Sequence, residues 1–492
     1  MRIRLISLIL LAALVFTAFA GCGGDSGASG GSTDAAAPPA NADSSDAGTA
    51  AVTEISAYDL HPGLDYDGYS FGMLTSQGWS VDMPDQLLQE AETGDVVFDA
   101  IFARNRAVED KLDVKFTLNT VTYGDLAGYL QNLVLAGDSS YDLCAHSPTA
   151  LKALTTDGTL ADAAKLPSLH LNERWYSQTA NEEMTVNGCL YAFHSDIGFV
   201  WASAIIVMLF NRDMAYNMFA LDNLQELALD GGWTLDTMIE NSRGISEDLN
   251  GDGKLDMEDR HGLAIDLGEY VTAFQYGADI RVTEKDSSGQ PKLSLSSEKT
   301  VSLVNKINDY FHDTELTCIT SGGYKVPQEM FRDGKSLFCN LNISCIPKRL
   351  REMEDDYGVL PMPKWDEKQD KYYTSVSPGS TTVFCVPATS SDLDRASAVI
   401  DCLAYEGHER VIPAFVEQAV KVKYSRDEYS DAIYNMIFDG AILDFGTIYD
   451  KNGMSTLFRT LIKNGSNDFA SSYAALEAAA AEEYERVWQL FS

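Results

Sequence analysis

The stretch "DVKFTLNTVTYGDLAGYLQNLVLAGDSSYDLCAH", Asp113 to His146, decides the fold. It opens with the alternating run "DVKFTLNTV", which reads as a strand. Leu126, Leu130, Leu133 and Val134 then recur at helical spacing, and Gly137 stops the helix. "SYDLCAH" closes the unit as a short buried strand. Upstream, "GYSFGMLT" is another strand, and Val97, Ile101, Val108 and Leu112 mark one face of another helix. Strand, helix, strand, helix, strand with short connections means a right-handed, parallel, doubly wound α/β sheet.

The pattern continues down the chain. "GCLYAF" and "AIIVMLF" read as strands, and Thr234 after Trp233 as a helix N-cap. Val301, Val304, Ile307 and Phe311 form a further helical stripe. "SLFCNLNI", "YGVLPMP" and "TTVFCVP" are strands, and Asp392 onward is mostly helical. No internal repeat is visible.

The start differs from the body. Arg2 and Arg4 precede an apolar run from Leu5 to Phe19, then Ala20 and Gly21 lead to Cys22. The run is of signal-peptide length, shorter than a spanning helix needs. It resembles a bacterial lipoprotein signal with Cys22 as the acylated residue, against an ordinary secretory signal cut nearby. Residues 1–21 are thus read as signal peptide and 22–65 as a disordered tether of Gly, Ser, Ala, Asp and Pro. About 43 such residues would span about 35–40 Å on average.

The body is longer than one core usually holds, so two lobes are expected. The 492-residue chain has 73 acidic and 36 basic residues and a net charge of −37. That balance argues against nucleic acid and anionic lipid as partners. Seven cysteines remain beyond Cys22 (Cys144, Cys189, Cys318, Cys339, Cys345, Cys385 and Cys402), in apolar contexts that suit buried thiols. An odd number cannot all pair, and no CxxC is present.

"DLNGDGKLDMED", Asp248 to Asp259, has the spacing of a calcium loop. Oxygen donors are the side chains of Asp248, Asn250, Asp252, Asp256 and Asp259 and the carbonyl of Lys254. Position 12 is Asp259 where a longer Glu is usual, and no exiting helix of useful length follows. A sensor needs that helix, so the expectation is a structural calcium brace. "GYSFG" matches a nucleophile elbow in letters only, because no strand precedes it and no helix follows. The histidines show no zinc-protease spacing.

Taken in order, "GDSSYDLCAHS", "NGCLYAFHSD" with "IIVMLFNRDM", "WTLDTMIE", the calcium loop into "HGLAID", "MFRDGKSLFCN" and "DYGVLPMPKWDE" resemble the extracellular solute-binding proteins of ABC importers, family 1, the maltose- and oligosaccharide-binding type. The resemblance implies a two-lobed periplasmic-binding-protein-like fold of type II, with a hinge and an interlobe cleft. Lobe 1 is expected from 66–200 plus 323–350, and lobe 2 from 201–322 plus 351–492. It further implies carbohydrate as ligand, an ABC permease as partner, a lipid (palmitate) anchor on the outer membrane face, and a monomer without catalytic activity. By position, Trp79, His146, Trp201, Glu269, Tyr270 and Asn342 become the candidate ligand residues. A secreted glycoside hydrolase and a ligand-sensing receptor subunit of the same fold are the alternatives.

Overall fold

The computed structural model describes residues 55–78, 83–420 and 429–491, within one unit, Ile55–Ser492. Cys22 and Trp79 lie outside the described residues. The strands in chain order are β1 (Tyr69–Gln77), β2 (Val114–Thr122), β3 (Leu143–His146), β4 (Ile206–Asn211), β5 (His261–Ile265), β6 (Thr283–Lys285) and β7 (Pro291–Leu293). They continue with β8 (Thr317–Ile319), β9 (Ser336–Asn342), β10 (Tyr357–Leu360), β11 (Thr374–Ser375), β12 (Val383–Cys385) and β13 (Ala441–Ile442).

Two sheets define two lobes. Lobe 1 carries β12-β3-β1-β2, with β1 parallel to both neighbours and β12 antiparallel on β3. Lobe 2 carries β10-β4-β9-β5-β8, parallel across β9, β5 and β8 and antiparallel across β10, β4 and β9. The expected doubly wound core is present, with antiparallel strands added to each sheet. In lobe 1, Phe71, Met73, Leu143 and Ala145 pack on one face, and Leu74 and Cys144 on the other. Burial on both faces is what makes these strands read as near-continuous apolar runs.

The expected lobe boundaries need correction. Residues 323–350 belong to lobe 2, because β9 inserts between β4 and β5, pairing Leu209 with Cys339 and Leu263 with Phe338. Residues 383–406 belong to lobe 1, because β12 pairs Cys385 with Cys144 and the helix Leu393–Glu406 packs Val399, Ile400 and Leu403 into that lobe's core. The tether also ends earlier than residue 65. The short helix Ala57–Leu60 has a Ser56–Asp59 capping box and buries Ala57 in lobe 1. "GCLYAF" is not a strand. It makes isolated bridges, Val186 to Cys189 and Phe193 to Phe384.

The chain crosses between lobes through residues 197–205 and 376–382. The two crossings touch, as Ile205 bridges Val376, and the Val376 N–H donates to the Ile442 carbonyl at 3.1 Å. The lobes also touch away from these crossings, where Lys152 Nζ donates to the Ile448 carbonyl at 3.0 Å and the Thr155 hydroxyl lies 3.0 Å from that of Tyr449. Gly72, the last glycine of "GYSFG", has a packing role. A Cβ there would lie 2.0 Å from the Ser140 carbonyl oxygen, and Ser70 sits exposed on β1.

The seven described cysteines are free thiols, five of them buried and Cys189 and Cys345 half-buried. Among the described residues, no helix is long and apolar enough to cross a membrane.

Candidate functional site

Parallel strands leave ligand-accepting loops at their C-terminal ends, and both lobes aim such ends at the crossings. A cavity of about 790 Å³ lies there. Lobe 1 contributes Asp95, Phe98, Phe199 and Ser380. Lobe 2 contributes Asp266, Glu269 and Tyr270 after β5, Tyr324 after β8, and Asn342, Lys348 and Arg349 after β9. The size suits a small ligand largely withdrawn from water.

Local chemistry fixes each wall. Asp95 caps the helix Val96–Leu112, accepting from the amides of Val97 at 2.9 Å and Phe98 at 3.1 Å. Its other oxygen accepts from Gln418 Nε2 at 2.9 Å. The cap therefore sets where Phe98 enters the cavity. Tyr270 opens a turn behind Glu269 and meets Tyr324 edge-on, with ring centroids 6.3 Å apart. Burial pushes the Tyr270 hydroxyl well above the usual phenol range, helped by nearby Cys345. It therefore stays a neutral donor. The Asn340 side chain donates to the Tyr270 carbonyl at 2.9 Å, which ties this turn to β9. Asn342 Oδ1 is withdrawn from water and has no hydrogen-bond partner. A polar atom in that condition costs free energy unless a ligand or water supplies a donor. Phe199 stacks on Phe415 at 5.4 Å, adding an apolar floor beside the crossing.

The structure brings Glu269, Tyr270 and Asn342 together, and Glu269 is exposed into the cavity. Trp201 goes elsewhere. On the short helix Val200–Ser203, Val200 and Ser203 face this cavity, while Trp201 and Ala202 face a second one of about 1180 Å³. Neighbouring helical positions point about 100° apart, so Trp201 turns away from the cavity that Val200 lines. Trp201 lies against the His194 ring, with centroids 4.1 Å apart.

His146 is also misplaced as a ligand residue. It is fully buried, Nδ1 accepts from the Ser147 amide at 2.8 Å, and Nε2 lies 3.0 Å from the Tyr123 carbonyl. Both ring nitrogens are satisfied, and burial lowers its pKa. Asp95, Phe98, Phe199 and Tyr324 were not singled out from sequence. Their signal was faint: an aspartate before a helical stripe and aromatics at strand or helix ends.

The calcium loop is built for its shape. Asp248 accepts from the amides of Gly251 at 2.6 Å and Gly253 at 2.8 Å, and Asn250 and Asp252 accept from amides two residues on. Gly251 and Gly253 have φ near 75° and 82°, where a side chain would be strained. Asp259 accepts from the amides of Leu249 and Asp256, both at 2.9 Å, which ties the loop's two ends. Those bonds hold its pKa below the usual carboxylate range. Glu247 and Arg260 bridge across the base, and β5 follows directly. The donor types and the backbone fit a calcium ion. No three of the loop's carboxylates come within 4.8 Å of one another, so an ion would have to draw them inward.

No family model matches the chain, and no curated protein matches it. Solved structures do. A cyclo/maltodextrin-binding protein complexed with maltotetraose matches at TM-score 0.53 and 12% identity, covering 86% of this chain and 97% of its own. An extracellular solute-binding protein from Staphylococcus aureus in complex with maltose matches at TM-score 0.56 and 14% identity, covering 87% and 99%. The chain has their two-lobed α/β fold.

Proposed function

We propose that this chain is a lipid-anchored extracellular solute-binding protein that captures a carbohydrate, of oligosaccharide size, and delivers it to an ABC permease. The observation that carries the reading is the cavity between the two strand-end surfaces, with Asn342 Oδ1 unpartnered in its wall. Sugars present apolar C–H faces ringed by hydroxyls. Phe98, Phe199, Tyr270 and Tyr324 offer faces for the first, and Asp266, Glu269, Asn342 and Arg349 offer partners for the second. Closure of the two lobes around a ligand would give the form that a permease reads. The two solved structures of this fold hold maltose and maltotetraose, which supports the ligand class.

A glycan and small-solute screen by calorimetry on the full chain tests this. Binding of a carbohydrate without turnover supports it. Turnover would favour the hydrolase alternative, and no binding of any sugar at millimolar concentration would end the reading. With a ligand in hand, Tyr270→Ala and Asn342→Ala should each weaken binding by about 1 kcal/mol or more. Trp201→Ala should leave affinity within about threefold, because its side chain lines the other cavity. Unchanged affinity in both cleft variants would remove them from the site.

The anchor at Cys22 and a monomeric body on the outer face of the cell membrane belong to the same proposal. Cell fractionation of Cys22→Ser checks the anchor, since persistent membrane attachment would contradict it. Calcium held by Asp248, Asn250, Asp252, Asp256 and Asp259 with the Lys254 carbonyl would brace lobe 2, without chemistry. At an affinity typical of extracellular loops, millimolar calcium should stabilise the chelator-treated protein by about 1 kcal/mol. Asp248→Ala should abolish that rise in melting temperature. An unmoved melting curve in the parent protein would count against the brace.

A further inference from the structure

His61, His170 and Asp401 meet in lobe 1, away from the cleft and from the acidic loop. His61 Nε2 lies 2.9 Å and His170 Nδ1 2.7 Å from the same oxygen, Asp401 Oδ2. The two rings are 5.0 Å apart and tilted by 56°. One donor atom from each of the three residues falls within 4.8 Å of the other two. Among the described residues this is the group of three such side chains that could close on a metal ion.

The surroundings hold the carboxylate rigid. Asp401 Oδ1 accepts from Trp175 Nε1 at 2.9 Å, from the Tyr176 hydroxyl at 2.8 Å and from the His170 amide at 3.3 Å. Asp401 is fully buried on the helix Leu393–Glu406. These three donors all address Oδ1, which leaves Oδ2 to the two imidazole nitrogens.

We propose that His61 Nε2, His170 Nδ1 and Asp401 Oδ2 form a binding site for a divalent transition ion, zinc in the first instance. Two imidazoles and one carboxylate are a zinc donor set, and Trp175 and Tyr176 orient the carboxylate from behind. Tetrahedral zinc with bonds of 2.0–2.2 Å separates its ligand atoms by about 3.3–3.5 Å. Each ring nitrogen therefore retreats from the carboxylate oxygen by about half an ångström. The His170 side chain is one-third exposed, which leaves a solvent-facing position for a fourth ligand and a path for the ion. His61 follows directly on the helix Ala57–Leu60, at the start of the described chain. The ion would fasten that first segment to the lobe's core helix, where a pull on the preceding residues would arrive.

The test uses the full-length chain, purified without a polyhistidine tag and stripped with a chelator. Zinc is added by equilibrium dialysis with millimolar calcium present to compete at the Asp248–Asp259 loop, and bound metal is counted by elemental analysis. The expected result is one zinc per chain, weakened at least tenfold by His170→Gln or His61→Gln and lost in the double variant. Cobalt(II) should show the visible absorption of a tetrahedral site in the parent chain and not in the double variant. Metal-free melting curves check that the variants fold. If His61→Gln does not, His170→Gln, whose side chain is partly exposed, decides the matter. No zinc retained by the parent chain, or equal zinc retained by His170→Gln, would show a hydrogen-bonded triad only and overturn the proposal.

Discussion

Replacing Asp444 with alanine is expected to lower stability by about 3–5 kcal/mol, because it strips one buried acceptor from several donors at once. Asp444 is almost fully buried and accepts from the amides of Val282 at 2.6 Å, Thr283 at 3.3 Å and Gly446 at 2.7 Å. It also accepts from the hydroxyls of Thr283 at 2.9 Å and Tyr276 at 3.2 Å. These donors come from the helix Thr272–Gly277, from β6 and from the helix Phe445–Ile448, so one carboxylate joins three elements of lobe 2. Tyr484 adds a hydrogen bond to the Gly446 carbonyl at 2.8 Å, which docks the C-terminal helix on the same knot. Asp444→Asn keeps one acceptor oxygen and should cost less. Denaturant midpoints of the three proteins measure this. An alanine variant that unfolds with the parent protein would show that the network is dispensable.

The second large effect is a loss of stability in mild acid, centred on His194. Its Nδ1 faces the Ser177 amide, 3.3 Å away, as an acceptor, so the ring is neutral with its proton on Nε2. Burial depresses its pKa from near 6.5 to about 3. The sign follows from linkage. Below about pH 6.5 the unfolded chain takes up a proton that the folded chain refuses until about pH 3. Stability from this residue is therefore complete above pH 6.5 and falls steadily as pH drops through that window. Between pH 7 and pH 5 the loss is about 2 kcal/mol. His194→Gln removes the titration, so the gap between parent and variant should narrow by that amount over the same range. A gap that stays constant with pH would show that His194 is not the group responsible.

Much of the fold was legible because its signals are local. The strands around Leu74, Phe116 and Cys144, the helical face of Val97 and Ile101, and the Thr234 cap are all written in short windows. The acidic loop was legible for the same reason, since its turns are set by residues two to five positions apart. The lobe assignment was not. Whether β9 joins β4 or β3 depends on pairing between distant segments, and its apolar run fits either sheet. Trp201 lines the other cavity, one helical position from Val200. Tyr270 and Asn342 reach the cavity from strand ends, which short windows mark, whereas Phe98 depends on how the Asp95 cap aims the helix. Val301, expected in a core stripe, is 37% exposed, and Leu303 beside it takes the buried place.

The antiparallel strand β12 has a consequence for how the chain is made. His146 meets Val383 across the lobe 1 sheet, although one is synthesised long before the other. At about 5–20 residues per second, the gap between them amounts to on the order of ten seconds or more of translation. Throughout that interval the nascent β3 has an unfilled edge, and the lobe 1 core lacks Phe384, Val399 and Leu403. Lobe 1 is thus finished only after most of lobe 2 has been synthesised.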